Sequence, residues 1–328
     1  MQSCQRLFKA LVLPLLALLM AHEPARAQAT LPSTIKLVVG YPPGGSTDTV
    51  ARLVGQALQE TLKTTVIVDN RAGAGGRIAA GQLKKAPTDG SEIMIAPNAL
   101  TTVQSLVYAD KINYSVTDDF IPIAKIASYP FVLSVPASSS IRNVNDLAAW
   151  VKANPGQAMF GSSGAGGMSH FSGLMLAKAA GFEWVHVPFK GGAPLVNDLV
   201  GGHVAAGVDT IIDHIEHSRA GKLRILGIFS QQRYALAPEI PTLAEQGVKG
   251  LNVEGWFGAF APTGTPAPIV ARLEEGFRHV LTDPAFKARL NKLVIDVDFK
   301  ASADFRKLQV AELQTWAPVV KSSGFKPD

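Results

Sequence analysis

Cysteine is almost missing from this 328-residue chain: Cys4 is the single one, and it stands ahead of a short apolar run near the start. Beyond that run no thiol is available, which excludes disulfides and thiolate chemistry. Charge is also sparse, at 17% Asp, Glu, Lys and Arg, and no Lys/Arg cluster is interleaved with aromatic residues. Nucleic acid is therefore a poor partner. A membrane-spanning run is lacking too, because the apolar stretch Leu11 to Met20 is short and broken by Pro14. Catalytic motifs are the last absence. The loop Gly161 to Gly167 fails as a dinucleotide fingerprint because Ser169 stands where the third glycine belongs, and it fails as a nucleophile elbow because Ala165 stands where glycine is needed. No phosphate-binding Gly-x-x-x-x-Gly-Lys motif occurs. The cluster Asp213-His214-Ile215-Glu216-His217 has metal-like spacing but lacks a third ligand, and a solvated helix face accounts for it better. No metal, no cofactor and no catalytic residue is expected, so the chain reads as a binding protein rather than an enzyme.

The first 27 residues have the pattern of a secretory leader. Arg6 and Lys9 form a basic start, the apolar core follows, and Ala25-Arg26-Ala27 gives small residues around a cleavage point. Removing them leaves 301 residues, enough for two separate cores, and takes the formal charge from +5 to +3. A mild positive balance suits a small anionic ligand, although many proteins without one share it.

What is abundant is the glycine-rich turn that follows a strand. Ile35 to Val39 predicts a strand that runs into Gly40-Tyr41-Pro42-Pro43-Gly44-Gly45-Ser46-Thr47-Asp48. Apolar residues at Val50, Leu53, Val54, Ala57, Leu58 and Leu62 then mark one face of a helix. Ser46 or Thr47 is placed to cap it. Such a turn presents free N–H groups and the positive end of a helix to a carboxylate or phosphate, though an ordinary strand–helix connection reads equally well. Thr65 to Asp69 predicts the next parallel strand, followed by Asn70-Arg71-Ala72-Gly73-Ala74-Gly75-Gly76. Glu92 to Ala96 gives a third strand, with Asn98 just past its end. Two strand-like runs, Ile121 to Ala127 and Phe131 to Val135, carry the chain into a second half.

That half repeats the device. Met159-Phe160 leads into the loop 161–167 and a helix through Phe171, Leu174 and Ala179; Trp184 to Pro188 leads into Phe189-Lys190-Gly191-Gly192; Val204 to Val208 ends at Asp209. After Leu223 to Phe229, Gly255 to Ala261 carries the chain back and the rest is mostly helical. Four glycine loops, two in each half, can converge only if the halves face each other across a cleft. Of the side chains there, Asp48 would repel an anion and is better used to hold its own loop's N–H groups. A neutral His170 would bond a nearby loop, since a cation is disfavoured at a helix start. Lys190 could pair with an anion or simply be solvated, and Asp209 could meet an amine or hydroxyl or cap a neighbour.

The segments Tyr41 to Asp48, Asn70 to Gly76, Ser162 to Gly166 with His170, His186 to Gly191 with Ala193-Pro194, Asp198-Leu199, Gly201-Gly202, Gly221 to Arg224, Pro241-Thr242 and Ala261-Pro262 together resemble the Bug family, the substrate-binding proteins of tripartite tricarboxylate transporters. The resemblance runs through nearly the whole chain after the leader. It implies an α/β protein of the two-lobed periplasmic-binding-protein fold (type II, Venus flytrap), each lobe a mostly parallel sheet flanked by helices. The expected division is a leader at 1–27, one lobe from 28–127 and 255–328, and the other from 128–254. It further implies a monomer in the Gram-negative periplasm that closes on a small carboxylate, with a membrane permease as possible partner. By the resemblance, Tyr41, Pro43, Gly44, Gly45 and Ser46 hold the carboxylate from one side through main-chain N–H groups and water. Ser162, Ser163, Gly166 and His170 do so from the other, and Asp209 helps select the ligand's distal group. Asp48, Asn98 and Lys190 complete the candidate site. Two positions depart from the family pattern: Phe171 stands for the usual leucine and Phe189 for the commoner tyrosine, which removes a hydroxyl. A ligand-sensing subunit for a membrane receptor and a secreted hydrolase are the alternative functions.

Overall fold

The computed structural model describes residues 30–327; the leader expected over 1–27 lies outside them. The β-branched run Thr34–Val39 forms β1 and continues through the Pro/Gly turn into helix α1 (Ser46–Leu62), whose apolar face packs on the sheet through buried Val50, Val54, Leu58 and Leu62. Strand β2 (Thr65–Asn70), helix α2 (Arg77–Leu83) and strand β3 (Glu92–Pro97) complete a parallel array in the order β2-β1-β3. A wide helical turn at Ala99–Val103 then runs straight into α3 (Gln104–Val107).

Strand β4 spans Phe120–Pro136 without a break, where the sequence predicts two strands. Its first part, to Pro130, pairs with the returning strand, and its second part, from Phe131, pairs elsewhere. Pro130 has no N–H to give to a ladder, and it sits where β4 changes partners, so the strand passes through it. Helix α4 (Val144–Ala153) is capped by Asn143, which accepts the N–H of Asp146. A second parallel array follows: β5 (Met159–Ser162), α5 (Met168–Ala180), β6 (Val185–Pro188), α6 (Gly192–Val200) and β7 (Ala206–Thr210), with spatial order β7-β5-β6; α7 (Ile211–Arg219) then leads to β8 (Leu223–Ile228), which pairs antiparallel with β4. Strand β9 (Glu254–Pro262) returns antiparallel to both β3 and β4. Helices α8 (Ala267–Thr282) and α9 (Pro284–Lys292), the two-residue strand β10 (Lys300–Ala301) against β4, and α10 (Ser302–Ser322) close the chain.

The result is two lobes, each a parallel three-strand array with helices, joined through the antiparallel pair β4 and β9. One core gathers Val38, Met94, Phe120, Trp256, Phe260 and Phe305; another gathers Val132, Ile211, Ile215, Ile225 and Ile228. In each array the central strand, β1 or β5, is where strand order reverses, and a ligand crevice is expected beyond its carboxyl end. Both glycine loops grow from those two ends. Among the described residues no helix is long and apolar enough to cross a membrane.

Candidate functional site

The first turn is held from behind. Asp48 accepts from Gly44 N (3.0 Å), Arg52 Nε (2.9 Å) and Asn70 Nδ2 (2.9 Å), and Asn70 also donates to Tyr41 O (3.1 Å). Burial alone would raise the Asp48 pKa, but these donors outweigh it and hold the carboxyl below its ordinary value. Gly44 adopts φ +90°, which glycine takes without strain, and this lets the turn close on its own aspartate.

Neither Ser46 nor Thr47 caps α1: the N-cap is Gly45, with no side-chain hydrogen bond. The missing cap comes from the other lobe. Ser46 N donates to Asp213 Oδ1 at 2.8 Å across 167 residues of sequence. Asp213 is the third residue of α7, whose N-cap Thr210 receives the Asp213 N–H and donates its hydroxyl to Asp213 Oδ2 at 3.0 Å. It also lies against the start of α6, where a Cβ on Gly192 would meet Asp213 Oδ2 at 2.4 Å. One carboxylate thus answers the positive ends of three helices. Burial raises its pKa against the opposing bonds from Ser46 and Thr210. The solvated face expected over Asp213–His217 holds at exposed Glu216 but is corrected for Asp213 and His214. Asp213 faces inward and His214 is fully buried, because α7 packs this side on the sheet.

A cavity of about 40 Å³ opens beside this contact. Tyr41, Gly45, Ser46 and Thr47 line it from one lobe; Ser163, Ser169, Gly192, Ala193, Asp209 and Thr210 line it from the other. Tyr129, Phe131 and Phe257 form its floor, with the Tyr129 ring 4.5 Å from that of Phe257 and 5.8 Å from that of Phe131. Residues that begin α1, α5 and α6 reach this space with N–H groups that have no partner in their own helices. Asp209, 1% exposed, accepts from Ser163 Oγ at 2.8 Å through Oδ1, while its Oδ2 is buried without a partner. Burial first and the Asp213 charge second push its pKa well up, and the Ser163 bond opposes them.

Tyr41, Gly45, Ser46, Ser163 and Asp209 are thus brought together, whereas the remaining candidates stand around them. Pro43 and Gly44 are on the exposed outer side of their turn. Ser162 is buried behind its loop, sharing a 2.7 Å bond with His186 Nε2 and donating to Gly164 O. His170 is likewise behind the loop: Gly166 N donates to its Nδ1 at 3.2 Å, and its ring stacks 3.7 Å from His186. Burial depresses both imidazoles, to about 4 for His170 and about 3 for His186, so both are neutral. Asn98 is buried against β9, bonding Glu254 O and Trp256 N. Lys190 and Phe189 line a separate groove of about 470 Å³ at the mouth, opposite Arg77, whose guanidinium lies 3.4 Å from the Tyr108 ring centre.

Sequence reasoning missed the three aromatic rings, the α6 start and Asp213. Tyr129 lies in the gap between two expected strands and Phe131 opens the second of them, whereas the structure makes them one strand. The signal for Asp213 is present as Thr210-x-x-Asp213, a capping pattern at a helix start, but beside two histidines the segment reads as a solvated helix face once metal is set aside.

The geometry has counterparts in known proteins. Residues 50–325 match the model of the tripartite tricarboxylate transporter family receptor. A protein of Pseudomonas sp. (strain P51), known as the UPF0065 protein in the tcbD-tcbE intergenic region, is 36% identical over 313 residues, 94% of this chain and 93% of that one. Among solved structures, Rpa4515 of R. palustris with adipate is 31% identical with a TM-score of 0.87, covering 91% of this chain and 100% of that one. MatC of Rhodopseudomonas palustris with bound malate is 30% identical with a TM-score of 0.82, covering 88% and 98%. With the family model spanning most of its length and a relative this similar end to end, the chain belongs to the tripartite tricarboxylate transporter family of periplasmic receptors.

Proposed function

We propose that this receptor captures a small carboxylate in the cavity between its lobes and presents it to a tripartite tricarboxylate-type permease. The observation that carries this reading is the meeting of helix starts from both lobes on one cavity, where first-turn N–H groups have no partner inside their own helices. Hydrogen bonds to a charged acceptor are worth about 1.5–3 kcal/mol each, so a few of them give micromolar binding after ordering costs. Tyr41, Gly45, Ser46 and Ser163 line the wall and serve as the direct contacts. Asp48, Gly166 and His170 hold the two turns in shape, and Asn98 fixes β9. The relatives with adipate and malate support a carboxylate as the ligand class.

The lobes divide as 28–127 with 255–328 against 128–254, and the hinge lies in β4 and β9. A ligand that touches both lobes favours the closed form because the open form offers it half the contacts. Residues 1–27 direct export to the periplasm, where the protein acts as a monomer. Thermal unfolding of the purified protein tests the reading. At least one short mono- or dicarboxylate should raise Tm in a concentration-dependent way; an unchanged Tm across the whole panel would overturn it.

A further inference from the structure

Helix α9 is tied to the first lobe, where Arg289 Nη1 donates to Gln56 Oε1 of α1 at 3.2 Å. It ends in a turn closed by two main-chain bonds, Val294 N to Asn291 O (2.9 Å) and Ile295 N to Leu290 O (3.1 Å). That pair of bonds calls for a left-handed residue just past the helix, a place that glycine usually takes. Here it is Val294, at φ +59°. A β-branched residue is strained in this conformation, because its Cβ crowds the following carbonyl. Such strain persists only where the surroundings over-determine it.

The surroundings of Val294 are those of the opposite lobe. Its side chain is fully buried in the second core, with Val132, Ile211, Ile215 and Ile225. Two neighbours make the same crossing. Lys292 O accepts from Arg219 Nη1 at the end of α7 (3.1 Å), and Leu293 lines a groove together with Ile212 and Ile215 of that helix. The chain then returns along β4. Asp296 and Ser128 exchange both main-chain bonds, at 2.8 and 3.2 Å. Asp298 accepts from Lys125 Nζ and from Ser128 Oγ, and Lys300–Ala301 pairs with Ala124 and Lys125. Over the residues that lead to Tyr129 in the cavity floor, β4 is thus held on one edge by β9 and on the other by this segment.

We propose that residues 293–301 are a third link between the lobes, a strap anchored by the strained Val294 in the second core, and that this strap limits how far the hinge opens. A ribbon of β4 and β9 alone is free to bend where β4 changes partners. With the strap fastened to β4 at Lys125 and Ser128 and seated beyond the bend among Val132 and its neighbours, parting the lobes pulls Val294 against its seat. This role is independent of what the cavity binds.

Small-angle scattering of the ligand-free mature chain tests it. Val294→Gly suits the turn and removes the anchor, so the variant should fold and show a larger radius of gyration than the wild type. Val294→Ala keeps the strain and shortens the anchor; it should move the radius the same way, and it serves if the glycine variant folds poorly. Ile225→Ala takes bulk from the same core without touching the strap, and it should lower Tm while leaving the radius as in the wild type. If the radius is unchanged in the Val294 variants, or if Ile225→Ala enlarges it equally, residues 293–301 only close a helix and fill a core, and the strap fails. No carboxylate enters the measurement, so that result leaves the receptor reading standing.

Discussion

A buried histidine shows how single residues set the pH response of this protein. His214 is fully buried with neither ring nitrogen bonded, and burial, with His217 adding to it, lowers its pKa to about 3. His170 and His186 are depressed for the same first reason. A depressed histidine stabilises the fold above the unfolded pKa of about 6.5 and loses that contribution as pH falls toward the folded value. Between pH 6.5 and 4 the unfolded chain therefore takes up protons that the folded chain refuses, at up to about 1.4 kcal/mol per pH unit for each such ring. His214→Leu should lower the acid slope of urea-unfolding stability by roughly 1 kcal/mol per pH unit, and stability at pH 7 should hold or rise because two unsatisfied nitrogens are gone. Equal slopes for the two proteins would refute this account. At this scale the sequence was legible where chemistry is local. That Asp48 would bond its own loop and that His170 would be neutral each follow from the residue's own helix start. That His214 would be buried does not, because its burial depends on which side of α7 meets the sheet.

Elements repeat one device, a strand end that turns through glycine into a helix start, and the loops advertise it by composition. What composition does not reveal is who completes each cap. The α1 cap comes from Asp213 on α7, a contact made by the meeting of lobes and not by neighbours in sequence. Gly192 is tied to the same contact, since any Cβ there would strike the Asp213 carboxylate. Gly192→Ala should displace Asp213, free the Ser46 N–H and weaken carboxylate binding at least tenfold by calorimetry, in line with the loss of one charged hydrogen bond. The fold should persist, because the strike is on a side-chain end and not on backbone. Asp213→Asn should weaken binding in the same direction; unchanged affinity in both variants would separate the cap from ligand capture. The strands were read well from β-branched runs bounded by proline and glycine. The continuity of β4 was not, since Ser128-Tyr129-Pro130 looks like a break and becomes a partner change only when β7 and β9 are both in place.

For the whole molecule, what distinguishes a closed from an open receptor is the set of contacts that bridge the two lobes. The Ser46–Asp213 bond is one, and Tyr108 Oη donating to Ala165 O at 3.4 Å is another. A third comes from the end of the chain. Beyond α10, Phe325 sets its ring edge-on to His170 at 4.9 Å and to Phe171 at 6.0 Å, covering the back of the loop that contains Gly166. In the lobe division proposed above, Phe325 follows one lobe and its two partners belong to the other, so the contact is lost on opening. An aromatic pair of this geometry is worth about 0.5–1.5 kcal/mol beyond its buried area. Phe325→Ala should then shift the closing equilibrium by that amount and weaken ligand affinity about three- to tenfold. The unfolding temperature of the ligand-free protein should fall little, because the ring is only partly buried and lies outside both cores. Small-angle scattering supplies the second readout: without ligand, the variant's radius of gyration should exceed that of the wild type, and saturating ligand should bring the two together. If affinity drops while the scattering curves match in both states, the ring supports the Gly166 loop directly and does not latch the lobes.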